Sequence, residues 1–459
     1  MISNKMIYAA MAATAALFIL PAQAAETADS VAATTVCPAT QSVDTLYLTL
    51  DRCREMALSG NAATRTAANN LKAASETSKE AFTKYFPEIS ASGMAFWANH
   101  DVLQYDVLDM FEIGLIKKGV IGGVMATQPI FAGGQIVNGN ALAKVGAKVA
   151  ELRSVQTQEE VAVTVDKYYW KLVSLNSQKE TLASLLVMLD TLAYQTKAAV
   201  DAGVILKNDF LKVEIQRNEY RATMIDLDNG IALCSNLLGQ YIGAGLTPVK
   251  VTQSVTPGDS LGLAYDIWRE PCQAVTSTPA YGMLSSAVKA AELEKKLAVG
   301  KNLPTVGFGA GWFYHNLLEQ DQNFGALFIS VSVPITAWWG GSHAIKKKNL
   351  ELENARIQME DGEQMLQIAM RDAWDNLTAA YRKAETAAET VNQSRENLRL
   401  NENYYKVGVS TITDLLDAQT LYKKACDQYT TAYADYQVRT AEYLKATAQL
   451  PLNTYTPAE

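Results

Sequence analysis

Histidine is scarce and scattered: the three present, His100, His315 and His343, make no H-E-x-x-H or comparable metal-ligand spacing. G-x-S-x-G and Walker A sequences are both missing. The glycine-rich "VGFGAG" that begins at Val306 lacks the dinucleotide fingerprint. These gaps argue against an enzyme, and no cofactor or bound metal is expected. Basic charge is also short. Lys and Arg number 40 against 48 Asp and Glu, for a net charge of −8, and no basic run reaches five residues. Nucleic acid, which needs clustered Lys and Arg, is therefore not an expected partner. Five cysteines, Cys37, Cys53, Cys234, Cys272 and Cys426, form no C-x-x-C pair, so zinc and thioredoxin-like chemistry lack support. They read best as small buried or half-buried residues. Beyond the first 24 residues no charge-free apolar run is long enough for a spanning helix. Proline is missing from Gly341 to Pro451.

What is present begins with a secretory signal. Lys5 supplies a positive start, "MIYAAMAATAALFIL" a short apolar segment, and Ala22-Gln23-Ala24 a small-residue cleavage site, so residues 1–24 are expected to be removed. The rest repeats once. "LKAASETSKEAFTKYFPEISASGMAFW" from Leu71 aligns with "VKAAELEKKLAVGKNLPTVGFGAGWFY" from Val288, placing Pro87 on Pro304. "QPIFAGG" from Gln128 matches "VPITAWWGG" from Val333, and Gly203 and Asp209 match Gly408 and Asp414. The expected organisation is a first repeat over 25–242 and a connector over 243–271. A second repeat with a C-terminal tail follows over 272–459. Each repeat reads as helix, two strands, long helix, break, helix. The strands are expected at about 88–99, 118–131, 304–316 and 324–335.

Heptad spacing marks the long helices. Leu366, Met370, Ala373, Leu377, Ala380, Ala384, Ala387 and Val391 step by alternating fours and threes, and Leu172 to Leu192 keep the same rhythm. At 1.5 Å per residue, about 65 residues of helix reach ~100 Å, a length that suits coiled-coil packing.

The strands alternate with period two. Val306, Phe308, Ala310, Trp312 and Tyr314 share a face opposite Gly307, Gly309 and Gly311, and Leu327, Ile329, Val331 and Val333 oppose Ser330 and Ser332. Phe96, Trp97, Trp312, Phe313 and Tyr314 gather at one end, and Phe131, Trp338 and Trp339 at the other. Such girdles mark lipid boundaries in outer-membrane barrels, although a soluble half-buried sheet has the same alternation. Without a spanning helix, a membrane crossing requires a closed barrel. Four strands cannot close one. Two chains would give eight strands with a filled interior, whereas three would give twelve and a lumen.

The chain resembles the TolC-like outer-membrane efflux proteins from about Leu46 to Leu450. The most specific matches are "FPEI" and "LPTV" entering the strands, "QPIFAGG" and "VPITAWWGG" leaving them, and "YKVGVSTITDLLDAQ". The resemblance implies a mostly α fold with a β-barrel part, a trimeric twelve-stranded outer-membrane barrel continued by a long periplasmic α-helical barrel. It implies an exit duct for tripartite efflux or type I secretion, in the bacterial outer membrane and extending into the periplasm. The expected partners are two further copies, outer-membrane lipid, a periplasmic adaptor (membrane fusion) protein and an inner-membrane transporter. The rival reading is a soluble periplasmic coiled-coil scaffold or adaptor.

The resemblance also places site residues. Ala202, Gly203, Val204, Val407, Gly408 and Val409 match the adaptor-contact tips. Asp414 and Asp417, on one helix face, match the pore constriction, where threefold symmetry would gather six carboxylates and raise some of their pKa values. Thr411-x-x-Asp414 also reads as a capping box. Asp209 and Tyr405 match the closed-state latch. The arginine of that latch is Ser410 here, which leaves its chemistry open.

Overall fold

The computed structural model describes residues 46–451 apart from 101–103, 108–110, 115–117, 246, 257–260, 262–264, 318–320 and 336. The signal peptide, Cys37, the rest of 25–45 and the tail beyond 451 lie outside the described residues, as does the side chain of Trp338.

The chain order is β1 (Leu46–Leu48), α1 (Leu50–Gly60), α2 (Ala62–Thr83), β2 (Glu88–Trp97), β3 (Gln104–Val107), β4 (Phe111–Gly114), β5 (Lys118–Ala132), α3 (Gln135–Asp201) and α4 (Lys207–Tyr241). There follow β6 (Val249–Val251), α5 (Pro271–Ala274), α6 (Pro279–Gly300), β7 (Thr305–Asn316), β8 (Asp321–Ser332), α7 (Ala337–Lys406) and α8 (Ile412–Ala446).

Helices dominate. α3 has 67 residues and α7 has 70; at 1.5 Å per residue each is ~100 Å long. α3 packs against α2 and α6 on the sheet side and against α4 and α8 on the far side. α7 runs the same course beside α6 and then α8. The heptad positions form the seams. Leu172, Leu182, Leu189 and Leu192 are buried on α3, and Met370, Leu377, Ala380, Ala384 and Val391 on α7. Small residues at Ala380 and Ala384 let neighbouring helices approach closely, and Tyr436 and Tyr443 of α8 pack there with Leu377 and Ala380. Midway, the parallel pair β1–β6 and helix α1 pack on α3, in a cluster containing Cys53, Cys234, Cys426, Tyr169 and Trp170. All three thiols there are free and buried, whereas Cys272 is free and exposed. Burial pushes Cys53 up to about 12, with Asp166 adding to the effect, so it is an inert thiol. Arg54 of α1 holds the buried Asp166 of α3 through two hydrogen bonds, Nε to Oδ1 at 2.8 Å and Nη2 to Oδ2 at 2.6 Å. Removing one member of such a pair costs about 3–5 kcal/mol.

The main sheet is antiparallel in the order β2-β5-β7-β8, and its two outer edges are unpaired among the described residues. The register pairs Val124 with Trp312, Phe308 with Ile329 and Ala310 with Leu327, which places one apolar face across all four strands. That face is open to solvent: Leu327 is 76% exposed, Ile329 71% and Trp312 63%.

Two features differ from the sequence reading. β3 and β4 form a separate hairpin beyond β2. Phe96 and Phe313 do not join the apolar face. The register puts Phe96 opposite Gly119 and Phe313 opposite Gly123, on the face away from Trp97, Trp312 and Tyr314. The reason is steric: a Cβ at Gly123 or Gly311 would collide with the Phe313 ring, and one at Gly309 with Phe328. The glycines form a floor on which aromatic rings lie.

Candidate functional site

At the end of the helices farthest from the sheet, two hairpins turn, α3 into α4 and α7 into α8. Both turns are closed in the same way. Gly203 donates its N–H to Val200 at 2.9 Å and Val204 to Ala199 at 2.9 Å; Gly408 donates to Tyr405 at 3.0 Å and Val409 to Tyr404 at 2.9 Å. This double bond is the Schellman motif, whose central residue is left-handed. Gly203 has φ +72° and Gly408 φ +77°. A Cβ at either would meet nothing within 4 Å, so backbone conformation and not crowding selects glycine. Around the glycines stand apolar side chains with no cover: Val204 is 75% exposed, Val407 72% and Val409 76%. Ala202 is exposed as well. Each turn thus presents a small apolar knob to solvent.

One residue past the second turn, Thr411 caps α8. Its Oγ1 accepts the Asp414 N–H at 3.3 Å, and its own N–H donates to Asp414 Oδ2 at 2.9 Å. The capping box is thus formed. The Thr411 hydroxyl donates to the same oxygen at 2.6 Å and Ser410 Oγ lies 3.3 Å from it. The Thr411 hydroxyl first, and its backbone N–H second, hold Asp414 below its usual range. The carboxylate stays charged while it caps, and it remains exposed with Asp417 one turn later.

Asp209 lies in the first turn of α4, half-buried, with Lys212 Nζ 3.4 Å from its Oδ1. The same ammonium donates to Thr413 Oγ1 at 3.0 Å and so joins α4 to the start of α8. Nothing in the sequence pattern singled out Lys212; its spacing of three from Asp209 was the available signal. Tyr405 is half-buried against the core of Leu182, Leu189, Leu415 and Leu416. Burial raises its phenol, and the charge of Asp209 adds to the rise. Ser410 contacts Asn401 and Asp414 and makes no ion pair. Within one chain, then, Asp209, Lys212, Thr413 and Tyr405 come together at the tip, with the capped Asp414 beside them.

Between α4 and α8 a groove of about 700 Å³ opens, lined by Gln216, Glu219, Thr223, Lys424 and Gln428 among others. Among the described residues no cluster of three or more His, Cys, Asp or Glu is placed to hold a metal ion, and no helix is long and apolar enough to cross a membrane.

Residues 53–244 and 280–448 match the family described as outer membrane efflux protein. Outer membrane efflux protein BepC of Brucella suis biovar 1 (strain 1330) is 24% identical over 344 residues, 72% of each chain. Among solved structures, the outer membrane protein VceC of Vibrio cholerae superposes with a TM-score of 0.71 at 15% identity, over 87% of this chain and 95% of its own. The open state of the Neisseria gonorrhoeae MtrE outer membrane channel superposes at 0.69 and 17% identity, over 90% of this chain and 94% of its own.

Proposed function

Because the chain belongs to the outer membrane efflux protein family, whose members are efflux channels of the outer membrane, we propose that three copies close its sheet into a twelve-stranded barrel. The barrel continues into a periplasmic tube of helices. One observation carries this reading. The sheet turns an apolar face to solvent and, among the described residues, leaves both edge strands unpaired, a combination that suits neither water nor lipid. Pairing β8 of one copy with β2 of the next satisfies the edges and puts Leu327, Ile329 and Trp312 in lipid. The helices support the same closure. α7 is an edge column whose Leu350, Ile357 and Ile368 are exposed at near-heptad spacing, and α4 is the opposite edge with Ile215, Ile225 and Leu233 exposed.

The tube serves as the exit duct of a tripartite efflux or type I secretion system. Its exposed valines at Gly203 and Gly408 receive the hairpin of a periplasmic adaptor, and the groove between α4 and α8 extends that surface. Through the adaptor the duct meets an inner-membrane transporter. Asp414 and Asp417 from three copies line the constriction, where their charge favours cations. The closed state is held near Asp209 and Tyr405. With Ser410 in place of an arginine, Lys212 supplies the cation on that patch.

The rival, a soluble periplasmic coiled-coil scaffold, gives the exposed sheet nothing to face. Extraction distinguishes the two. The duct stays in the membrane fraction through high-salt and carbonate washes and leaves only with detergent; release by washing alone would favour the scaffold.

A further inference from the structure

The four junctions between the sheet and the helices share a composition. Residues 81–87, 129–150, 295–304 and 333–350 together hold nine lysines and no aspartate or glutamate, in a chain where acids outnumber bases 48 to 40. In sequence, the segments that link β2 to β5 and β7 to β8 are the reverse: residues 98–118 and 317–321 hold six acids and two lysines. At the junctions Lys84, Lys144, Lys301 and Lys346 are exposed. Among the described residues none of these four has a carboxylate within ion-pair distance, whereas Lys348 is held by Glu294 at 2.6 Å and Glu351 at 2.7 Å.

Exposed aromatics stand near two of these lysines, Lys84 and Lys346. Phe82, Tyr85 and Phe86 pack on one another around Lys84, with ring centroids 5.5 Å and 5.7 Å apart. Trp339 is 78% exposed at the start of α7. Lys346 lies seven residues on, on the same helix face and ~10 Å farther from the sheet. Aromatic rings at the edge of the hydrocarbon, with an ammonium group level with them at Lys84 and two turns beyond at Lys346, match the zone in which lipid phosphates lie.

We infer that this lysine collar binds the phosphodiester headgroups of anionic phospholipids in the leaflet facing the helices. The inference rests on the barrel reading above. Tyr85, Phe86 and Trp339 seat at the interface, and the unpaired ammonium groups beside them reach phosphate along their flexible stems. Unlike free phosphate, a lipid presents its charge at the fixed depth the collar occupies. The basic junction and the acidic linking segments together fix the depth and direction of the duct.

The test uses the full protein reconstituted into phosphatidylcholine vesicles with a trace of spin-labelled phosphatidylglycerol or phosphatidylcholine. The readout is the motionally restricted fraction of each label. Wild type is expected to prefer phosphatidylglycerol about threefold to fivefold, from roughly 1 kcal/mol per interfacial lysine, and to lose the preference in molar salt. The variant Lys84→Gln/Lys144→Gln/Lys301→Gln/Lys346→Gln should bring the ratio near one. A control, Lys179→Gln/Lys197→Gln, far along α3, should leave it unchanged. A wild-type ratio of one in protein that floats with the vesicles overturns the inference and spares the barrel. So does a collar variant that keeps the preference, or one that alters anion passage through the pore instead. Protein that never floats with the vesicles removes the barrel, and the collar with it.

Discussion

At the residue scale, the capping of α8 by Asp414 does not compete with the pore role we propose for it. One oxygen closes the capping box with Thr411, and the carboxylate remains exposed and charged. The Asn Oδ1 can still accept the Thr411 N–H, so Asp414→Asn with Asp417→Asn should leave assembly intact. In a planar bilayer the double variant should lose cation selectivity and block by millimolar divalent ions, which bind hard oxygen ligands. Unchanged selectivity would return both residues to a purely local role. Thr411→Ala removes the hydroxyl hydrogen bond, the largest of the contacts that hold Asp414 low, and keeps the bonds from the backbone N–H and from Ser410. It should cost about 1 kcal/mol in thermal unfolding. Because a depressed carboxylate loses its charge only as pH falls through its folded pKa, Thr411→Ala should also make selectivity fail at a higher pH than in wild type. Mutual repulsion among six carboxylates opposes the depression, so the comparison with Thr411→Ala isolates the cap. A second titration lies deeper. Glu159 of α3 is buried; burial pushes it up to about 7, Lys445 opposes this and Glu160 adds to it. Between the ordinary value of 4.5 and about 7 the unfolded chain ionises while the folded chain keeps its proton. Stability should therefore fall across that window and level off above it. Denaturant midpoints of Glu159→Gln should be flat there; an unchanged slope would mean that another group carries the proton.

At the scale of elements, the helices were legible because heptad spacing and the proline-free stretch speak directly of continuous helix. The tips were legible because glycine is the one residue that takes the left-handed position without cost. Gly408→Asp follows from that geometry. Aspartate tolerates left-handed backbone better than most residues, and the site is open, so destabilisation should stay near 1 kcal/mol. Export should nevertheless fall to background, because a charge then sits among Val407 and Val409. Normal export by a correctly delivered variant would remove docking from this turn. The orientation of Phe96 and Phe313 was not legible. Period-two alternation gives the face of each residue relative to its own strand. Only the pairing of Phe313 with Gly123 and of Phe96 with Gly119 reveals that aromatic rings fill the glycine face. The β3–β4 hairpin, whose strands have four residues each, was too short to leave a periodic signal. Lys212 escaped notice because its second partner, Thr413, is 201 residues away in sequence.

At the scale of the whole molecule, the central claim is that one chain is an incomplete object. On our proposal, a four-stranded sheet whose two edges are unpaired among the described residues, and whose apolar face is open to solvent, is completed in lipid by copies of itself. Four strands per chain leave a lumen at three copies and a filled interior at two. The number of chains in the detergent-solubilised particle therefore tests the account most directly. Native mass spectrometry from mild detergent should give a single species of three chains, each the mature remainder of the 50.0 kDa sequence. A monodisperse monomer or dimer would contradict the barrel, and with it the duct.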